Sequence, residues 1–253
     1  MEYIVILWYT VSVHKMLLNH TFLMGRKILK RAILLDDISD GRLYKSGDTV
    51  NLDTDGCSGC SYCCREMTDT IILDPWDIYM LSLGVGNTGN DISLAPLLAK
   101  GFVSLSVFEG LTLPRLSAKT GADFSSCVFL EETGRCRVHA YRPGFCRLFP
   151  LGRIYEDEGF HYFLQSRECR KEERKGVRID KWLGIDNLEK YEDFILKWHE
   201  IQENIKEYLK GCDDENAGKI NMMLLKLFYL APYDAGRDFY LQFEERRKRL
   251  LND

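Results

Sequence analysis

The sequence predicts an α+β fold: a small cysteine-rich domain of short hairpins and helices, followed by a helical C-terminal region. Three observations predict it. Eight of the nine cysteines fall between Cys57 and Cys169. Short alternating apolar runs that read as strands lie among them. From Asn187 onward, apolar residues recur at the three- and four-residue intervals of a helix face. These changes divide the 253 residues into an N-terminal segment (1–39), a cysteine-rich domain (40–175) and a helical region (176–253).

The chain opens on an apolar stretch, Met1 to Val13, that lacks the basic flank and small-residue cleavage site of a signal peptide. Broken by His14 and Lys15, it is also short of the ~20 residues a membrane-spanning helix needs. A cytoplasmic protein without stable membrane insertion is expected. Met24, followed by Gly-Arg-Lys-Ile-Leu-Lys-Arg, reads as an alternative start of translation.

After Cys57-Ser-Gly-Cys60-Ser-Tyr-Cys63-Cys64, the run Ile71-Ile72-Leu73 reads as a strand. Asp74-Pro75 then starts a helix with proline in its first position and Asp77 in its acidic first turn, running to about Leu83 and stopping at Gly84. Gly84-Val-Gly86-Asn-Thr-Gly89 has the letters of a dinucleotide-binding loop but follows a helix rather than a strand, so it reads as a cap and linker.

Val103, Leu105 and Val107 alternate with serines, and Glu109-Gly110 turns the chain into Leu111 and Leu113, a hairpin. Cys127 and Cys136 look like the two bases of another, turning near Gly134. A third joins Gly152–Tyr155 to Phe160–Leu164. In the C-terminal region, one helix carries Leu188, Tyr191, Phe194, Ile195, Trp198, Ile201, Ile205, Tyr208 and Leu209 on a single face and ends at Gly211. A second runs from Glu215 to Leu230 with Ile220, Met223, Leu224, Leu227 and Phe228. A third starts at Ala235 and uses Phe239, Phe243 and Leu250. Apolar faces at this spacing read as core.

With 34 basic against 38 acidic residues, the net charge of −4 speaks against a general nucleic-acid or anionic-membrane surface. The cysteines carry the chemistry. Three thiols at every third residue let one short arc of chain present several sulfurs inward, the economy that zinc knuckles and iron–sulfur loops share. Cys64 adjoins Cys63, and neighbouring side chains diverge, so it is expected to serve a different centre. Cys127, Cys136, Cys146 and Cys169 supply four more ligands, making eight candidates with Cys57, Cys60, Cys63 and Cys64. His139 is an alternative nitrogen ligand that reads better as a neighbour of the site or as surface. Arg142, Arg147 and Arg153 lie near enough in sequence to offset thiolate charge. Cys212, alone near a helix end, reads as a small apolar filler.

The order Cys57-x2-Cys60-x2-Cys63-Cys64, Ile72-Leu73-Asp74-Pro75-x-Asp77, Cys127-x-Phe129-Leu130, Gly134-x-Cys136-x-Val138-His139, Arg142-Pro143 and Cys146-Arg147-x-x-Pro150 resembles the CxxCxxCC cysteine-cluster family. That family is described as zinc- or iron-chelating and includes relatives of flagellin lysine N-methylase. The resemblance covers roughly residues 50 to 170 and implies metal binding by the eight cysteines. The expected cofactor is an iron–sulfur cluster of the 4Fe–4S type, with zinc as the alternative. The expected role is structural or regulatory, and the alternative is a protein-lysine-modifying enzyme acting on a protein substrate.

Overall fold

The computed structural model describes residues 35–53, 60–66, 70–87, 92–120, 125–156, 159–166, 169 and 173–252. The apolar N-terminal stretch, Met24, Cys57 and Thr88-Gly89 lie outside them. In chain order the elements are α1 (Leu35–Ile38), β1 (Thr49–Asp53), α2 (Tyr62–Glu66), α3 (Pro75–Gly84), α4 (Leu94–Ala99), β2 (Val103–Phe108), β3 (Leu111–Leu116), β4 (Ala118–Thr120) and β5 (Ser125–Cys127). A 3-10 turn (His139–Tyr141) follows, then α5 (Gly144–Leu148), β6 (Leu151–Glu156), β7 (Gly159–Leu164), β8 (Lys175–Arg178), α6 (Ile179–Leu183), α7 (Leu188–Leu209), α8 (Asp214–Leu225), a π-helical turn (Lys226–Leu230) and α9 (Phe239–Asn252). The strands form four antiparallel pairs, β1–β8, β2–β3, β4–β5 and β6–β7. The fold is α+β with a helical C-terminal region.

α3 begins where the sequence places it. Asp77 N donates to Asp74 Oδ1 at 2.8 Å and Asp74 N to Asp77 Oδ2 at 3.1 Å, a reciprocal cap ahead of a proline that has no N–H to lose. The preceding Ile71–Leu73 run is extended and lies along β3, with Leu73 N on Pro114 O and Leu116 N on Ile71 O, but it pairs only through a single bridge between Ile72 and Arg115. The β2–β3 hairpin turns at Glu109 and Gly110, both at positive φ (49° and 84°), where glycine is unstrained. Its inner strand is β3: Leu111, Leu113 and Leu116 are buried, whereas of the alternating residues in β2 only Val103 is, and Val107 is 73% exposed. β6–β7 pairs from Leu151↔Leu164 to Glu156↔Gly159 as expected.

The sequence reading did not anticipate β1 with its distant partner β8, the short β4–β5 pair, or the one-turn helices. The Cys127–Cys136 hairpin is looser than expected. Cys127 ends β5 and pairs with Ala118, and the loop to Cys136 is closed by one bridge between Leu130 and Cys136.

The main core runs from Ile71 to Phe243, so the cysteine-rich segments and the C-terminal helices share one apolar interior. A smaller cluster of Val50, Leu52, Leu148, Leu151, Tyr162, Ile179 and Leu183 lies under β1, β6 and α6. α7 buries Tyr191, Phe194, Ile195, Trp198 and Ile201, while Tyr208 of the same expected stripe is exposed. In the next helix Leu224 and Phe228 are buried but Met223 is exposed, and the last five residues before Ala231 wind as a π turn. α9 starts at Phe239 rather than Ala235, because Asp238 Oδ1 accepts the N–H of Tyr240 and of Leu241 and caps it there. Among the described residues, no helix is long and apolar enough to cross a membrane.

Arg246 fastens α9 to this bundle. It is buried, donates through Nη1 to Leu227 O and Ala231 O at 2.9 Å and through Nη2 to Pro232 O at 2.8 Å, and lies 3.5 Å from the Tyr233 ring centroid. These carbonyls have no further helical turn to bond to. Arg246→Ala is therefore expected to cost on the order of 3 kcal/mol, read as a lowered urea midpoint. A change within a few tenths would mean that water replaces the guanidinium freely.

Candidate metal centre

Four separate chain segments bring cysteines together. Cys64 lies in α2, which packs on β5, and β5 ends in the buried Cys127. Cys136 stands at the bridge closing the next loop, which Lys119 Nζ braces through Leu130 O at 2.7 Å. Cys146 occupies the middle of α5. All four pack against the main core.

Their ionisation is coupled. Burial, then the charges of Cys127, Cys64 and Cys136, push the Cys146 thiol well above its ordinary value. Burial pushes Cys127 to about 11, with Cys64 and Cys136 adding to the shift. Burial also raises Cys136, which feels Cys64. For Cys64 itself the hydrogen bond with the Cys63 thiol is the largest cause, followed by burial. The expected divergence of Cys63 and Cys64 is thus incomplete. They touch, and Cys64 links Cys63 to the other three sulfurs.

Of the other candidates, Cys60 stands two residues before α2, and Cys169 is half-buried with its carbonyl accepting from Arg174 Nη2 at 2.8 Å. Cys57 lies outside the described residues. All eight described cysteines are unbridged. Cys212 is half-buried at the end of α7, its Sγ 3.5 Å from Tyr208 O, rather than fully packed as a core filler. His139 is exposed and engages Arg142, its Nδ1 3.3 Å from Nη1.

Among the described residues, no three His, Cys, Asp or Glu side chains are drawn in as the ligands of one metal ion. The donor chemistry nevertheless fits a thiophilic metal. Four thiols feel one another in an apolar setting, their protons held by burial and, for Cys64, first by its hydrogen bond with Cys63, until something positive displaces them.

The helix carrying Cys146 is held from both ends. Gly144 N donates to Asp77 Oδ1 at 2.6 Å, and Asp77 is buried. A Cβ on Gly144 would stand 2.0 Å from the Tyr191 hydroxyl, so only glycine fits there. At the far end, Arg147 donates to Arg142 O at 3.0 Å, Gly184 O at 2.9 Å, Leu183 O at 3.3 Å and, closer still, Ala140 O. Its guanidinium also lies 5.5 Å from the Trp76 ring centroid. Arg147 is therefore neither solvated surface nor bonded to a thiol; it is a clamp on backbone carbonyls. Arg153 is buried beneath Phe160, Tyr162 and Tyr191. Sequence spacing revealed none of this: Asp77 reads as a helix cap, and nothing local marks its bond to a residue 67 positions on.

Residues 56–170 match a family model described as "Putative zinc- or iron-chelating domain". No curated protein and no solved structure shows significant similarity to the chain. The matched residues contain Cys64, Cys127, Cys136 and Cys146 together with the helix that Asp77 and Arg147 hold, and it is over this span that the chain is similar to the CxxCxxCC family.

Proposed function

We propose that the protein holds an iron–sulfur cluster in a structural or regulatory role, with Cys64, Cys127, Cys136 and Cys146 as its thiolate ligands. The approach of these four thiols, close enough to oppose one another's ionisation, carries the reading. Four cysteines are the usual complement of a 4Fe–4S cluster and equally of a structural zinc ion. Three cysteines at two-residue gaps, Cys57, Cys60 and Cys63, favour iron–sulfur chemistry in the adjoining loop. Cys57, Cys60, Cys63 and Cys169 then serve a second centre that meets the first at the Cys63–Cys64 step. A cytoplasm rich in reduced thiols is the compartment in which the eight described cysteines would persist unbridged.

The chain's contribution is to desolvate the ligands and keep their helices and loops in place; the bound group supplies the positive charge that takes the place of their protons. Anaerobic purification, an absorption spectrum and a count of iron, sulfide and zinc per chain test the reading. A broad band near about 400 nm with iron and sulfide supports the cluster, and colourless protein holding zinc replaces it with a zinc site. Cys64→Ser should remove the inner centre, whereas Cys60→Ser should leave it and lower metal content by about half. Equal losses in the two variants would mean that the eight cysteines serve one centre.

A further inference from the structure

Beside the cysteine quartet, between α3, α5, β6 and α7, lies an interior cavity of about 30 Å³. Its polar lining includes Asp74, Asp77, Arg153, Tyr155, Tyr191, His199 and Gln202. Arg153 is 6% exposed, and its Nε has no hydrogen-bond partner in the protein. Its other groups are engaged by tyrosines: Nη2 is 3.4 Å from Tyr191 Oη, the guanidinium also interacts with the Tyr155 and Tyr162 side chains, and the Phe160, Tyr162 and Tyr191 ring centroids lie 5.4, 5.8 and 5.5 Å from Cζ. A buried donor left unpaired costs about 1–3 kcal/mol, more when charged.

We infer that this cavity is a built site for one or two fixed water molecules, which bond to Arg153 Nε and carry its hydrogen bonding to the surrounding carboxyl and phenol oxygens. Size and chemistry select water. A water needs roughly 10–15 Å³ and two to four polar partners, which this space and lining provide, whereas substrates and methyl donors need pockets roughly ten times larger. A halide would fit the volume, but it would face the carboxyls of Asp74 and Asp77. Those carboxyls are themselves organised: both Asp77 oxygens accept backbone N–H groups, from Gly144 and Asp74, and Asp74 Oδ1 accepts from Asp77. Water, which both donates and accepts, joins a cation to such a pair. The site would lie where the helix carrying Cys146 meets α7, making the water part of that joint.

The test is a crystal structure of the intact protein grown with bromide. One or two compact peaks without anomalous signal, within hydrogen-bonding distance of Arg153 Nε and of at least one lining oxygen, are expected. An anomalous peak, density for a larger molecule, or Nε bonded directly to a protein oxygen would overturn the assignment. In solution, oxygen-17 relaxation dispersion counts long-lived internal waters, and Arg153→Met or Arg153→Lys should lose about one or two of them. An unchanged count in either variant, if folded, would equally overturn it.

Discussion

Replacing Asp77 with alanine is expected to lower the unfolding free energy by about 4 kcal/mol and to reduce metal retention more than any other single change outside the cysteines. The carboxylate receives the N–H of Asp74 on one oxygen and that of Gly144 on the other. Removing it leaves two backbone donors unpaired, at about 1–3 kcal/mol each, and takes away a negative charge near Arg153. Gly144 opens α5, so Cys146 loses the anchor of its helix. Urea unfolding and metal analysis of the same preparation check both parts. Full metal content at a lowered midpoint would separate the cap from the centre.

The same residue has a predictable pH signature. Burial raises both carboxyls of the pair, Asp77 to about 6 and Asp74 well above its usual range, while backbone N–H groups and the arginines pull the other way. Asp77 therefore carries its charge near neutral pH and takes up a proton as pH falls through about 6. A carboxyl raised above its unfolded value near 3.9 contributes stability that is fully present below that value and is lost as pH rises through the folded one. Relative to Asp77→Asn, the wild type should thus gain on the order of 3 kcal/mol as pH falls from about 7 to about 4. A difference that stays flat or falls over that interval would mean that the backbone donors outweigh burial.

Gly144→Ala should be nearly as severe. Its Cβ would overlap the Tyr191 hydroxyl at 2.0 Å, and Tyr191 is fully buried, edge-on to Trp76 at a 4.9 Å centroid separation, so it cannot swing aside. Overpacking of this kind costs about 1–3 kcal/mol, and the upper end is expected because the fixed partner is a ring. Tyr191→Phe removes the clashing oxygen for the loss of only the 3.4 Å contact to Arg153. The double variant should accordingly recover about 1–2 kcal/mol of coupling, together with metal content. Strict additivity of the two changes would rule out the clash as the cause.

The elements legible in the sequence were those whose signal is local. Asp74-Pro75-x-Asp77 specifies a cap within four residues, Glu109-Gly110 a turn within two, and the Tyr191–Ile201 stripe a helix face. What was hidden depends on partners far along the chain. β1 is only five residues long, and its pairing with β8 is set by a partner more than a hundred residues away. The apolar alternation in β2 is real, but β3 takes the buried side. For the site, Cys64, Cys127, Cys136 and Cys146 were among the eight candidates, but their coming together from four separate segments is not written in any local spacing. The supporting residues carry no mark of their role either: an aspartate, a glycine and an arginine become special only once their contacts across the core exist.

The Arg147 clamp also sets how much of the chain is needed to transplant the centre. The span matching the family ends at residue 170, but two of the carbonyls Arg147 grips belong to Leu183 and Gly184, and the ring closing over Gly144 belongs to Tyr191. A fragment trimmed to the family boundary would carry every cysteine of the motif and keep the Asp77–Gly144 bond, but would lose the ring packed on Gly144 and two of the four carbonyls that Arg147 grips. The smallest portable unit therefore extends at least into the first turns of α7, and the helical region is part of the metal centre's frame rather than an appendage to it.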